Sequence, residues 1–345
     1  MKKSLLSLIT AFALVLLVGC SSEPEQFQDT NTDLFDTVIT VTGFTESQED
    51  FDETLSGIYG DMEYYDHLFD IYNNYDGMNN IKTINDNAGV KPVDVDQPVI
   101  DLLLLAKDMN EKTDGNVNAA MGSVLRLWHE AREYGLDHPE NAYLPNVDEL
   151  EVASQHTDFN QIVIDESEST VFIKDPDVRI DVGAVAKGFA TQNAAKSLAD
   201  SDISGFLINA GGNVNCVGSK PDGSPWNVAI ENPVEEGGNY PAVLQLEGGM
   251  SAVTSGSYQR FYTVGGKRYH HIIDPATLFP NDTFASITVV SHDSAIGDAL
   301  STALFNMSYE DGKALINSMD DFEAMWILND GTIKNTEGFN EYIAE

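Results

Sequence analysis

The chain has 345 residues, 18 basic and 56 acidic, for a formal net charge of −38, and 42% of its residues are hydrophobic. That apolar content marks a globular protein with a substantial core, filling one large domain or two intimate subdomains, and excludes a disordered chain. So negative a surface repels phosphate backbones and anionic headgroups, which excludes a nucleic-acid partner. The scattering of the acids fits solvation in a saline or alkaline setting better than selection for a cationic partner.

The chain opens with Lys2 and Lys3 and an apolar run from Leu5 to Val18, short of the ~20 residues a comfortable membrane span needs. An ordinary secretion signal or a short anchor would read this way. Leu17-Val18-Gly19-Cys20 followed by two serines resembles instead a bacterial lipobox. The expectation is a signal peptide over residues 1–19 and a lipidated Cys20. The protein would then be held at the cell membrane by a lipid anchor, facing the extracytoplasmic side. The polar stretch 20–33 reads as a flexible tether, leaving 34–345 as the folded domain. Cys216 is then the one cysteine left, so the mature chain has no internal disulfide. A small buried core residue is the expectation for Cys216, ahead of a reactive thiol.

Further along, Asp36 to Thr42 alternates and is β-branched, a strand. Glu46 to Phe69 has helical spacing, and Asn73 to Gly89 reads as an irregular loop. Helices are predicted over Val99–Glu111 and Val124–Tyr134, with a Gly115–Gly122 turn before the second and a polar hinge over His138–Pro145 after it. Ile162–Ile164 and Val171–Ile173 form a hairpin-like pair. A strand ending at Gly183 feeds a helix over Val185–Leu198. Short strands follow at Phe206–Asn209, Asn213–Val217, Trp226–Ile230, Val243–Leu246, Ser251–Thr254, Phe261–Val264 and Ser286–Val290. Helices over Ile296–Met307 and Tyr309–Ser318, a strand over Glu323–Leu328 and a closing turn complete the chain. Paired strands with interspersed helices suit an α+β fold better than a doubly wound parallel sheet.

The chemistry concentrates near the C-terminus. Tyr269 to Pro275 reads YHHIIDP, and Gly297 to Phe305 reads GDALSTALF. The four-residue step from Asp298 to Thr302 puts two side-chain oxygens on one helical face, where they can share a hard cation such as Mg²⁺. A nearby imidazole completes the inventory for metal-assisted phosphoryl chemistry. Zinc is disfavoured by the lack of CxxC and HExxH. Upstream, DVGAVAKG (Asp181–Gly188) leads from strand to helix and offers backbone N–H groups and Lys187 to a phosphate, a weak signal by itself. NAGGN (Asn209–Asn213) and TSGSYQR (Thr254–Arg260) read as turns with hydrogen-bonding capacity. The remaining histidines, His129 and His156 among them, default to surface or core packing.

In this order, DVGAVAKG, INAGGN, TSGSYQR, HHIIDPxT and DALSTALF resemble the ApbE-type FAD:protein FMN transferases, from about Phe35 to the C-terminus. The resemblance implies an α+β fold with largely antiparallel sheets, flanking helices and two closely packed subdomains around a FAD cleft. It implies Mg²⁺-dependent transfer of FMN from FAD to a threonine or serine of an acceptor flavoprotein of membrane or extracellular electron transfer, releasing AMP. It assigns Asp298, Thr302 and the Ala184 carbonyl to Mg²⁺, and Tyr75, Ala119, Ala120, Met121, Asp181, Lys187 and Ile272 to FAD. His271 is the expected base, with His270 as fallback. Phe35-Asp36-Thr37, Gln192 and Leu278-Phe279 depart from the family pattern. A FAD pyrophosphatase would use the same site with water as nucleophile, whereas a lipoprotein that only binds FAD would leave Asp298 and Thr302 as a helix cap-and-packing pair.

Overall fold

The computed structural model describes residues 23–200, 205–234 and 240–344; Cys20 and the leader before it lie outside the described residues. The framework is an eight-stranded sheet whose spatial order follows chain order: Glu25–Asn31, Ile39–Thr45, Phe206–Ala210, Asn213–Val217, Ser251–Gly256, Phe284–Ser291, Glu323–Leu328 and Ile333–Asn335. Each neighbouring pair is antiparallel. Phe284–Ser291 is buried at all eight residues, because both of its faces are covered, and this is why it reads as a near-continuous apolar run.

The first strand corrects the expected tether. Residues 25–31 pair in register with the next strand, from Glu25 opposite Thr45 to Asn31 opposite Ile39. As an edge strand it needs few apolar side chains. Phe27 supplies one, packing 5.7 Å from the Phe51 ring, and the backbone ladder orders the rest. The polar composition therefore concealed a strand, and the folded domain begins before residue 34.

Between the second and third strands the chain leaves the sheet to build a largely helical layer. Helix Gln48–Phe69 starts at Ser47, whose hydroxyl accepts from Asp50 N–H, an N-cap. Part of the expected loop is also helical: Asn80 and Thr83 form a reciprocal cap on helix Ile81–Asp86, a signal outweighed in the sequence by the surrounding Asn and Asp residues. Helices Gln97–Lys112, Gly122–Asp137 and Val147–Ser154 follow. A small sheet runs in the order Val93–Asp94, Thr170–Ile173, Ile162–Asp165. The expected hinge is a 3-10 turn, Pro139–Asn141, followed by Tyr143, whose carbonyl accepts from the Tyr262 hydroxyl at 3.0 Å.

Helices Ala186–Asp200 and Ser294–Asn306 pack on each other and on the sheet. One core cluster runs without a break from Leu102 and Leu103 to Leu300, Leu304 and Phe305, joining the helical layer to the sheet. Cys216 is buried in a second cluster, and burial pushes its thiol up to about 12. The architecture is α+β, as expected. Every strand pair named above is antiparallel.

Candidate active site

Segments far apart in the chain converge on one cleft of about 570 Å³. Its floor is the junction of the two packed helices. At Gly188, in the first turn of Ala186–Asp200, an added Cβ would collide with Ser294 O and Asp298 Cβ, so only glycine lets the helices approach this closely. Gly188 N–H donates to Asp298 Oδ2 at 2.8 Å. An ordinary helix would spend that N–H on the carbonyl four residues back, that of Ala184. Here Ala184 O accepts no hydrogen bond among the described residues. Asp298 Oδ1 and Thr302 Oγ1 also have no partner there, and Ala184, Asp298 and Thr302 all line the cleft.

Asp298 is 5% exposed. Burial raises its pKa, opposed by the Lys187 ammonium and the Gly188 N–H. A buried carboxylate, a hydroxyl and a carbonyl with open lone pairs are hard oxygen donors of the type Mg²⁺ takes. The residues fit the ion that the DALST spacing and the resemblance suggested.

The two histidines separate cleanly. His270 Nε2 donates to Asn281 O at 2.8 Å, and its Nδ1 accepts from Ile272 N–H at 3.2 Å. Both nitrogens are committed, the ring is 7% exposed, and the fallback base is a structural residue. His271 Nδ1 lies 3.3 Å from Arg260 O. A carbonyl can only accept, so Nδ1 carries the proton and Nε2 keeps its lone pair. Desolvation, then the positive charge of Arg260, Lys187 and Arg132, pushes the His271 pKa below 6.5, to about 3. The ring is nevertheless open at the cleft mouth, where water moderates that penalty. The direction is what matters chemically: the imidazole is neutral at neutral pH and can accept a proton.

Asp181 and Lys187 line the same cleft. Burial raises the Asp181 pKa, against the Gly183 N–H on Oδ1 at 2.9 Å and the nearby His129, Arg132 and Lys187. Tyr75 donates to Asp70 Oδ2 at 2.7 Å and stacks on His67, ring centres 3.9 Å apart. Met121 and Ile272 also line the cleft. Ala119 and Ala120 do not. They are 6% and 0% exposed and belong to the main core, and Ala119 O accepts from Asp181 N–H at 2.8 Å. That segment meets the cleft through Asn116, Val117, Asn118 and Met121 instead.

Sequence reasoning missed His129 and Arg132. They lie three apart on helix Gly122–Asp137, joined by Arg132 Nη2 to His129 Nδ1 at 3.0 Å, and both line the cleft. The i, i+3 spacing was the available signal. His156 keeps to its default outside the cleft, its Nδ1 lying 2.7 Å from Asp175 Oδ2 at the part-exposed surface. Arg260 holds the rim. Its guanidinium donates to Phe35 O at 3.3 Å and to Asp36 O, fixing two successive residues with φ of 53° and 49°.

Comparisons with known proteins show the family. The ApbE family model matches residues 35–326. A FAD:protein FMN transferase of Klebsiella pneumoniae is 32% identical over 254 residues, covering 73% of this chain and 76% of that protein. One from Treponema pallidum is 33% identical over 272 residues, covering 75% and 73%. The crystal structure of the ApbE protein of Thermotoga maritima superposes with a TM-score of 0.80 at 28% identity, over 93% of this chain and all of that one. The cleft, its oxygen donors and its histidine therefore sit in a chain that belongs to the ApbE family.

Proposed function

We propose that this protein is a Mg²⁺-dependent FAD:protein FMN transferase that moves FMN from FAD to a threonine or serine hydroxyl of an acceptor flavoprotein, releasing AMP. Its relatives from Klebsiella pneumoniae and Treponema pallidum bear that transferase name. One observation carries the reading to this chain: three oxygens, on Ala184, Asp298 and Thr302, and the Nε2 of an imidazole share a cleft and have no hydrogen-bond partner among the described residues.

Lys187, with the backbone at the start of helix Ala186–Asp200, binds the anionic pyrophosphate of FAD. Asp298, Thr302 and the Ala184 carbonyl would hold Mg²⁺, which when bound neutralises phosphate charge and eases departure of AMP. His271 Nε2 takes the proton from the acceptor hydroxyl, while its Nδ1–H stays on Arg260 O. The hydroxyl oxygen bonds to the phosphorus on the riboflavin side, the phosphoanhydride bond breaks, and AMP leaves with the bridging oxygen. The lipobox supports placement at the cell membrane through lipidated Cys20, facing outward, where the acceptor would be a flavoprotein of membrane or extracellular electron transfer.

Mass spectrometry of a co-expressed acceptor tests this. The expected result is covalently attached FMN, lost in His271→Ala while that variant still binds FAD. Free FMN and AMP without attachment would make the enzyme a pyrophosphatase, and FAD bound but intact would make it a carrier. Retained transfer in His271→Ala would remove the histidine from its role.

A further inference from the structure

Helix Ser294–Asn306 ends on a residue that neither the motif nor the cation assignment uses. Asp298, Thr302 and Asn306 follow one another at four-residue steps, about 6 Å each along the axis. They share one helical face, and all three line the cleft. The first two carry oxygens without a partner among the described residues, and the third does something different. Asn306 Nδ2 donates to Asn116 O at 3.1 Å and to Ile273 O at 3.3 Å. One amide thus joins three pieces of the cleft wall: the cation-ligand helix, the Asn116–Met121 segment, and the turn carrying His271 and Ile272.

The opposite end of that amide sharpens the point. Asn306 Oδ1 is buried and has no hydrogen-bond partner among the described residues, a situation that is costly for a polar atom. The donor contacts already fix the orientation of the amide, since two carbonyls can face only the NH₂ group. Leucine carries no such acceptor, but it is larger and would leave the Asn116 and Ile273 carbonyls without their donor. What the amide supplies and leucine lacks is a two-pronged donor across the three segments.

We propose that Asn306 is a positioning residue, holding the Asn116–Met121 segment and the His271 turn in register with Asp298 and Thr302. The inference rests on the cation and base assignments above. With register lost, the phosphorus and the base no longer meet squarely, and a displacement of about 1 Å can cost up to a hundredfold in rate. Substrate and ion affinity, set by Asp298, Thr302 and Lys187 themselves, change far less.

The test compares Asn306→Leu and Asn306→Asp in the full chain. The first removes both ends of the amide, so the Asn116 and Ile273 carbonyls lose their shared donor. The second keeps the shape but sets oxygen against two carbonyls. Turnover is read as AMP released from FAD with Mg²⁺ and the co-expressed acceptor. FAD affinity is read by flavin fluorescence, and folding by melting temperature. The expected result is kcat reduced about 10- to 100-fold in both variants, with the Mg²⁺ midpoint and the KM for FAD within a few-fold of wild type. Unchanged kcat in Asn306→Leu overturns the proposal. So does a kcat loss that merely follows a fall in melting temperature and FAD binding, or a failure of both variants to fold, because those results assign the amide to stability. Asp298→Ala run alongside keeps the two ideas apart: an unchanged Mg²⁺ response there removes the cation site, whatever the Asn306 variants do.

Discussion

Replacing Asp298 with Asn separates the cost of a buried carboxylate from its use. In the metal-free protein, burial raises the folded pKa of Asp298 above the ordinary carboxylate value. A raised folded pKa means that the group favours folding below its unfolded pKa and loses that contribution as pH climbs through the folded one. At neutral pH the ionised side chain therefore works against the metal-free fold. Asn keeps an oxygen for the Gly188 N–H bond and carries no charge to desolvate. Asp298→Asn is expected to match or exceed the wild-type melting temperature in EDTA.

Added Mg²⁺ reverses the ranking. An ion at about a hundredfold over its dissociation constant stabilises a fold by about 2.7 kcal/mol. For a domain of this size the unfolding entropy converts that to roughly 4 °C. Wild type should rise by about that much, and Asp298→Asn should not move. Differential scanning fluorimetry in EDTA and across a MgCl₂ titration reads both arms without any acceptor. A full Mg²⁺ shift in Asp298→Asn would refute the site, and a large loss of stability in EDTA would refute the argument from desolvation.

Two further outcomes follow from the same geometry. Gly188→Ala forces a methyl group into Ser294 O and Asp298 Cβ; overpacking of this kind costs about 1–3 kcal/mol, so the melting temperature should fall and the Mg²⁺ shift shrink with it. Unchanged values would show that the helices can part freely. Arg260→Gln removes the largest single charge holding the His271 pKa down, so the acid limb of kcat/KM should move to higher pH, towards the ordinary 6.5. The depressed folded pKa also implies that His271 contributes stability above pH 6.5 and loses it as pH falls from there towards about 3, a window that Arg260→Gln should narrow. A pH–rate profile that does not move would argue against His271 as the titrating base.

Local periodicity and local chemistry were enough for several features. The DALSTALF spacing put Asp298 and Thr302 on one helical face, because a four-residue step is a property of the helix itself. DVGAVAKG reads as a strand-to-helix turn, and that is where the cleft's helix begins. Strong apolar alternation identified most strands of the sheet. Polar segments were harder. Strand Glu25–Asn31 is held by a backbone ladder and helix Ile81–Asp86 by a reciprocal cap and the buried pair Ile81 and Ile84, signals too short to stand out among polar neighbours.

Tertiary structure supplied the physical difference between His270 and His271, identical neighbours that the sequence could only rank. Their roles depend on Asn281 O and Arg260 O, each eleven residues away yet placed only when the hairpin and the following turn fold. It alone excluded Ala119 and Ala120 from the cleft, added His129 and Arg132, and freed the Ala184 carbonyl by turning the Gly188 N–H toward a carboxylate 110 residues away. Sequence determines which groups a helix or strand presents. Which lone pairs remain unspent is decided by long-range hydrogen bonds, and those exist only once distant segments have packed.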